Sequence, residues 1–149
     1  MSKLELKVKK VLDNAVLPEY GSDGAACFDL VAASEKVINT SKTGRKVEYD
    51  TGLAFEIPEG YVGLVFPRSS VTSKTSLMLG NGVGVIDSDY RGTVKFQYRE
   101  MAPVIGFKYN VGDRIGQMMI LPVPTLELVE TQELSSTERG EGGFGSTGQ

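Results

Sequence analysis

Histidine and tryptophan are absent from this 149-residue chain, and cysteine occurs once, at Cys27. Without histidine, Ser-His-Asp and Cys-His catalysis and histidine-ligated metals are excluded together. Proton transfer near neutral pH then falls to a carboxylate, with lysine or tyrosine behind it. A single cysteine excludes an internal disulfide and a cysteine zinc cluster within one chain, and reads as a small buried hydrophobe. No apolar run approaches the roughly 20 residues of a membrane span, and MSKLELKVKK lacks the apolar stretch of a signal peptide. These absences predict a soluble, cytoplasmic protein with no membrane partner. No basic run is longer than the Lys9–Lys10 pair and the formal net charge is −3, which sets aside nucleic-acid binding through a broad basic surface. A small polyanion stays open as a ligand, provided a few arginines converge and a divalent cation supplies further positive charge.

What is present is ordinary globular composition, with 40% hydrophobic and 23% charged residues, in a chain of single-domain length. Leu4, Leu6 and Val8 alternate with charged residues, as do Val94, Phe96 and Tyr98 with polar ones, the period-2 signature of half-buried strands. GLAFEIPEGYVGLVFP predicts strands over Leu53–Ile57 and Tyr61–Phe66, joined by a turn at Pro58-Glu59-Gly60. DRIGQMMILPV is a further apolar run, stopped by Pro122 and Pro124. Eighteen glycines between such segments argue for many turns and few helices. One short helix is expected after Pro67, where RSSVTSK offers serines suited to an N-terminus. The reading is an all-β, mainly antiparallel barrel or sandwich over residues 1–134, followed by a Gly/Ser-rich flexible tail over 135–149.

Several segments have the composition of a site. LGNGVGVIDSDYRG, Leu79 to Gly92, contains G-x-G-x-G, but Val85 stands where a dinucleotide fingerprint needs its third glycine, and no helical pattern follows. What remains is a glycine-rich hairpin over Asn81, Gly82, Val83, Gly84 and Val85, running into Asp87 and Asp89. Its backbone either recognises a flat ligand edge or makes a tight turn. PRSS places Arg68 beside Ser69 and Ser70 at a helix start, a fit for phosphate oxygens or a capped helix with a surface arginine. In GDRIGQ, Gln117 lies inside an apolar run and needs partners, from the backbone or from a ligand. Asp29, in GAACFDLVAA, either pairs with a nearby cation or serves a site that wants negative charge near a metal ion. The closing stretch RGEGGFGSTGQ reads G-x-x-x-x-G-S-T from Gly140 to Thr147. It is one residue from a phosphate loop, with Ser146 in place of lysine and no helix behind it.

In sequence order, AACFDLVAA, PRSS, GNGVGVIDSDYRG, GDRIGQ and RGEGGFGSTG resemble the five motifs of the homotrimeric dUTPases. The resemblance implies a jelly-roll-like distorted β-barrel, three such subunits with active sites between them, and hydrolysis of dUTP to dUMP and pyrophosphate with Mg²⁺ held mainly by the triphosphate. Carried over residue by residue, Asp87 matches the carboxylate that activates the attacking water. Tyr90 matches the ring against the deoxyribose, and Asn81 to Val85 match the uracil pocket. Arg68 and Ser69 match phosphate contacts, Ser70 adds a hydroxyl beside them, and Gln117 matches a contact from another subunit. Asp29 matches an acidic position near the water shell of the metal. The tail matches a mobile arm that closes over the nucleotide, with Phe144 on the uracil, Arg139 at the phosphates, and Gly145, Ser146 and Thr147 around the triphosphate.

The chain departs from the family pattern at Ser70, where glycine usually follows Arg-Ser, at Cys27, where glycine is common, and at Gly116, where alanine is common. Ser70 makes the second motif resemble the RSS of the related dCTP deaminases. Those enzymes place a catalytic glutamate shortly after the equivalent of Asp87, where this chain has Arg91. A trimeric protein on the same fold that docks a regulatory partner, as some phage-borne members do, is the other alternative. The polar segment Ser34 to Tyr49, outside all five motifs, is the surface expected to carry such a partner.

Overall fold

Alternating sequence becomes antiparallel strand throughout the computed structural model, which describes residues 3–41, 44–101 and 108–143. In chain order the elements are β1 (Lys7–Lys10), β2 (Glu19–Tyr20), β3 (Phe28–Val31), β4 (Ser34–Thr40), β5 (Gly44–Glu56), β6 (Tyr61–Phe66), the single helical turn α1 (Val71–Lys74), β7 (Leu77–Leu79), β8 (Gly84–Ile86), β9 (Thr93–Glu100) and β10 (Arg114–Pro122). They form two five-stranded sheets, one ordered β1-β5-β9-β7 with β4 also on β5, the other β2-β3-β10-β6-β8. This is the all-β, jelly-roll-like architecture expected from the sequence.

The 13-residue strand β5 serves two neighbours on one side. Its first half pairs with β4 and its last four residues pair with β1. The change is made at a register shift between Asp50 and Ala54. There Gly52 adopts φ +65°, which a side chain would resist. Asp50 Oδ1 accepts the Gly52 N–H at 2.7 Å, and Thr51, fully buried, donates its hydroxyl to the Val94 carbonyl at 2.8 Å. The bulge bends the strand and its polar groups stay satisfied. At β1 the alternation expected from Leu4 gives a strand that begins only at Lys7, although Leu6 and Val8 still pack on the core.

Inward residues of both sheets meet in one cluster that includes Phe28, Leu30, Val65, Ile115 and Met118 from one and Val47, Tyr49, Leu53, Phe96 and Tyr98 from the other. Each large side chain buried this way contributes about 1.5–3 kcal/mol. The tyrosines keep their hydroxyls bonded: Tyr49 donates to the Tyr109 carbonyl at 2.9 Å and Tyr98 to the Ile115 carbonyl at 2.6 Å. Burial pushes the titration of both phenols well above the ordinary tyrosine range, so they remain neutral donors. Val47 and Tyr49 are fully buried, so the Ser34–Tyr49 segment is partly core and only its outer face is surface.

Beyond β10 the chain runs without helix or strand from Val123 to Gly143. Leu126, Leu128, Val129 and Leu134 are all at least 73% exposed there. Phe144, Gly145, Ser146 and Thr147 lie outside the described residues.

Candidate active site

Three adjacent strands build the first part of the site. Asp29 on β3 lies opposite Gln117 on β10, which lies opposite Phe66 at the end of β6. Opposed residues share a face of a sheet, so this row holds Asp29 and Gln117 side by side just before the PRSS segment. Gln117 donates its side-chain amide to the Pro67 carbonyl at 3.0 Å, satisfying part of its polarity from backbone. Asp29 is engaged on both oxygens: Arg68 Nε lies 3.3 Å from Oδ1 and Arg114 Nη1 lies 3.1 Å from Oδ2. Of the two readings of Asp29 left open by the sequence, pairing with cations is the one observed. The trio carries a net charge of about +1 at neutral pH.

Arg68, Ser69 and Gln117 line an open groove of about 600 Å³ together with Cys27, Gly82 and Met119. Burial, with a smaller contribution from Asp29, raises the Cys27 thiol pKa, so this cysteine lines the groove as a neutral group. Ser70 precedes α1 without making a side-chain cap bond. Its Oγ is buried with no hydrogen-bond partner among the described residues, so the expected cap is not formed by this serine.

The hairpin gives the second part. Gly82 takes φ +71° at its tip, and the Gly82 N–H bonds the Leu79 carbonyl at 3.1 Å. A Cβ on Gly84 would overlap Val65 Cγ2, so this glycine is required by packing as well as by any ligand approach. Strand β8 pairs with β6 on one side and is the last strand of its sheet. Its other edge leaves backbone N–H and C=O groups free of ladder bonds among the described residues, the kind of surface that can match a flat polar ligand. Val83 and Val85 are exposed there at 42% and 61%. Asn81 lines a separate pocket of about 360 Å³ with Lys46, Lys95 and Arg99.

Asp87 and Val85 line a groove of about 1080 Å³, with Glu5, Lys7, Tyr61, Asp89 and Arg91 among its walls. Asp87 is exposed and its carbonyl accepts the Tyr90 N–H at 3.1 Å, closing a turn. Arg91 fastens that turn by donating Nη1 to the Ser88 carbonyl at 2.6 Å and the Tyr90 carbonyl at 3.1 Å. The exposed Tyr90 donates its hydroxyl to the Thr93 carbonyl at 3.1 Å. Its ring lies where a Cβ on Gly92 would sit. Arg139 turns back on the tail, with Nε on the Gly142 carbonyl at 2.8 Å.

One chain therefore brings Arg68, Ser69, Gly82 and Gln117 together, and Val85 with Asp87 in another groove, while Asn81 faces a third. The sequence reading did not single out Arg114, and it named Arg91 only as the residue in place of a deaminase glutamate. Arg114 lies inside the quoted GDRIGQ segment, and its signal was an unpaired acid, Asp29, that needed a cation. Among the described residues no group of three or more Asp, Glu, Cys or His side chains is arranged to hold a metal ion.

Fold and site together define a two-sheet β-protein with one groove that holds Arg68, Ser69 and Gln117 and another that holds Asp87. A model of the dUTPase family matches residues 13–148. The deoxyuridine 5'-triphosphate nucleotidohydrolase of Hydrogenobaculum sp. is 42% identical over 147 residues, covering 97% of this chain and 99% of that protein. Its namesake in Oryza sativa subsp. japonica is 45% identical over 146 residues, covering 96% and 80%. Among solved structures, the dUTPase of Staphylococcus bacteriophage 80alpha with dUPNHPP matches with a TM-score of 0.82 at 31% identity, over 99% of this chain and 100% of that one. A dUTPase from phage phi11 of S. aureus, described as showing the coordination of a structural Mg(II) ion, matches with a TM-score of 0.72 at 29% identity, over 87% and 98%. The chain belongs to the dUTPase family.

Proposed function

We propose that this protein hydrolyses dUTP to dUMP and pyrophosphate, limiting uracil in DNA and supplying dUMP, in sites shared between the subunits of a homotrimer. The observation that carries the reading is the division of the family's motif residues on a single chain. Arg68, Ser69 and Gln117 lie in one groove and Asp87 in another, an arrangement that supports sites completed by a second copy. Asp87 orients and deprotonates the water that attacks the α-phosphorus. A reaction of this type needs mostly positioning, charge neutralisation and one base, which suits a chain without histidine.

Arg68 presents its guanidinium to phosphate oxygens with Ser69 beside it, and Gln117 contacts the site from the neighbouring copy. The free edge of β8 and Asn81 read uracil, whose donor and acceptor pattern differs from that of cytosine. The Tyr90 ring packs on the deoxyribose and leaves no space for a 2′-hydroxyl. The tail over 135–149 acts as the arm that closes over the bound nucleotide, bringing Arg139, Phe144, Gly145, Ser146 and Thr147 to it and excluding bulk water. The exposed Leu126, Leu128 and Leu134 that precede it are surface that a neighbouring subunit would cover.

The described side chains do not fit a protein-held Mg²⁺ cage, since both Asp29 oxygens are taken by arginines and no acidic group of three is arranged for a metal. Mg²⁺ is accordingly read as a companion of the triphosphate, neutralising its charge. Arg91, in place of the glutamate expected of a dCTP deaminase, supports hydrolysis over deamination.

The shared site is tested by mixing. Asp87→Asn and Arg68→Ala proteins, each impaired alone, are unfolded and refolded together. If the two residues serve a site from different copies, dUTP hydrolysis returns to roughly a quarter of the wild-type value, the random-mixing fraction for an interface site. No recovery in trimers shown to be mixed would place both residues in one copy's site and overturn the shared arrangement.

A further inference from the structure

The Arg68 guanidinium lies against Asp29 with Nε 3.3 Å from Oδ1. Asp29 thus stands beside the Nε of the guanidinium, and Nη1 and Nη2 are without a hydrogen-bond partner among the described residues. A carboxylate held by one arginine alone can rotate about its own bonds. Here its second oxygen is fixed by Arg114 Nη1 at 3.1 Å, from the neighbouring strand, where a register shift between Arg114 and Gly116 sets the geometry. Arg114 is also the more exposed of the two arginines, with 56% of its side chain accessible against 28% for Arg68.

We propose that Arg114 is a positioning residue: it clamps Asp29 so that Asp29 holds the fork of Arg68 toward the phosphates of a nucleotide. The chain of contacts is Arg114 to Asp29 to Arg68. Arg114 also offsets the negative charge of Asp29, which would otherwise stand beside a polyphosphate. The inference rests on the reading that Arg68 contacts phosphate. It assigns Arg114 a part in binding without contact to the substrate.

The test is steady-state hydrolysis of dUTP by Arg114→Ala, Arg114→Lys, Asp29→Asn, the Asp29→Asn/Arg114→Ala double variant and Arg68→Ala. Arg114→Ala raises KM roughly tenfold while kcat stays within about twofold, on the scale at which contacting charged groups couple. Because the contact is a single N–H donated to one oxygen, Arg114→Lys keeps KM within about threefold. With Asp29 neutralised the clamp has nothing to hold, so adding Arg114→Ala to Asp29→Asn changes KM by less than about twofold. The thermal midpoint of Arg114→Ala stays near wild type, as expected for an ion pair whose arginine is largely exposed. An unchanged KM in Arg114→Ala, or an equal penalty with and without Asp29, overturns the inference. If Arg68→Ala also leaves KM unchanged, the phosphate reading of Arg68 itself fails; if Arg68→Ala raises KM and Arg114→Ala does not, only the clamp fails.

Discussion

Asp87→Asn lowers dUTP turnover by about 10²- to 10⁴-fold, the range expected when a positioned general base is removed. The substitution removes one proton acceptor and keeps the size of the side chain. Asp87 is exposed, and its part in the turn is played by its backbone carbonyl, which accepts the Tyr90 N–H. Arg91 fastens the same turn through the Ser88 and Tyr90 carbonyls. The fold therefore does not depend on the carboxylate, and stability should change by no more than about 0.5 kcal/mol. Binding of a non-hydrolysable dUTP analogue should survive while kcat collapses, since the base acts on water and not on the base or sugar. Loss of analogue binding in parallel with kcat would make Asp87 a structural or binding residue.

Gly116→Ala destabilises the protein by about 1–3 kcal/mol, the usual range for overpacking a filled core, although alanine is the residue common at this position in the family. A Cβ at Gly116 would overlap Cε1 and Cζ of Phe96. That ring cannot retreat easily, because Phe96 is fully buried and stacks on Tyr98 with centroids 6.2 Å apart and planes 8° from parallel. Tyr98 in turn packs edge-on against Tyr49 and Tyr109. Glycine at 116 is thus the counterpart of a large aromatic at 96, and the departure is one of packing. Thermal unfolding at fixed protein concentration should show a midpoint lowered by roughly 3–10 °C, with Phe96→Leu in the same chain recovering part of the loss. A Gly116→Ala protein as stable as wild type would show that the aromatic cluster has room to shift.

Local pattern revealed some elements completely. Strand β6 runs from Tyr61 to Phe66 as expected, because Pro58-Glu59-Gly60 closes a turn before it and Pro67 ends it. Strand β5 was legible only in its last four residues, from Leu53, since Asp50-Thr51-Gly52 interrupts the apolar pattern before them. In the folded chain the same residues form a bulge whose polar groups are satisfied from within and from β9, and that partnership is set 43 residues away along the chain. β3 was missed because four residues with an aspartate among them carry too little alternation to read. The site was legible as five ordered segments, and Arg68, Ser69, Asn81, Gly82, Val85, Asp87 and Gln117 drawn from them line grooves. Its wiring was not legible. The Asp29 contact to Arg114 spans 85 residues, and nothing short-range indicates which cation a semi-buried acid will take. The division of Arg68 and Asp87 between grooves is likewise a property of the fold and not of the motifs.

The central claim, that these grooves serve hydrolysis of dUTP in particular, is tested most directly by pyrophosphate release with Mg²⁺ from dUTP, dCTP, dTTP and UTP in parallel. The account predicts rapid release from dUTP alone, because in the proposed site the edge of β8 would match uracil, the hairpin would leave no space for a thymine methyl group, and Tyr90 would exclude a ribose hydroxyl. Comparable release from dCTP or UTP, or none from dUTP, would contradict it.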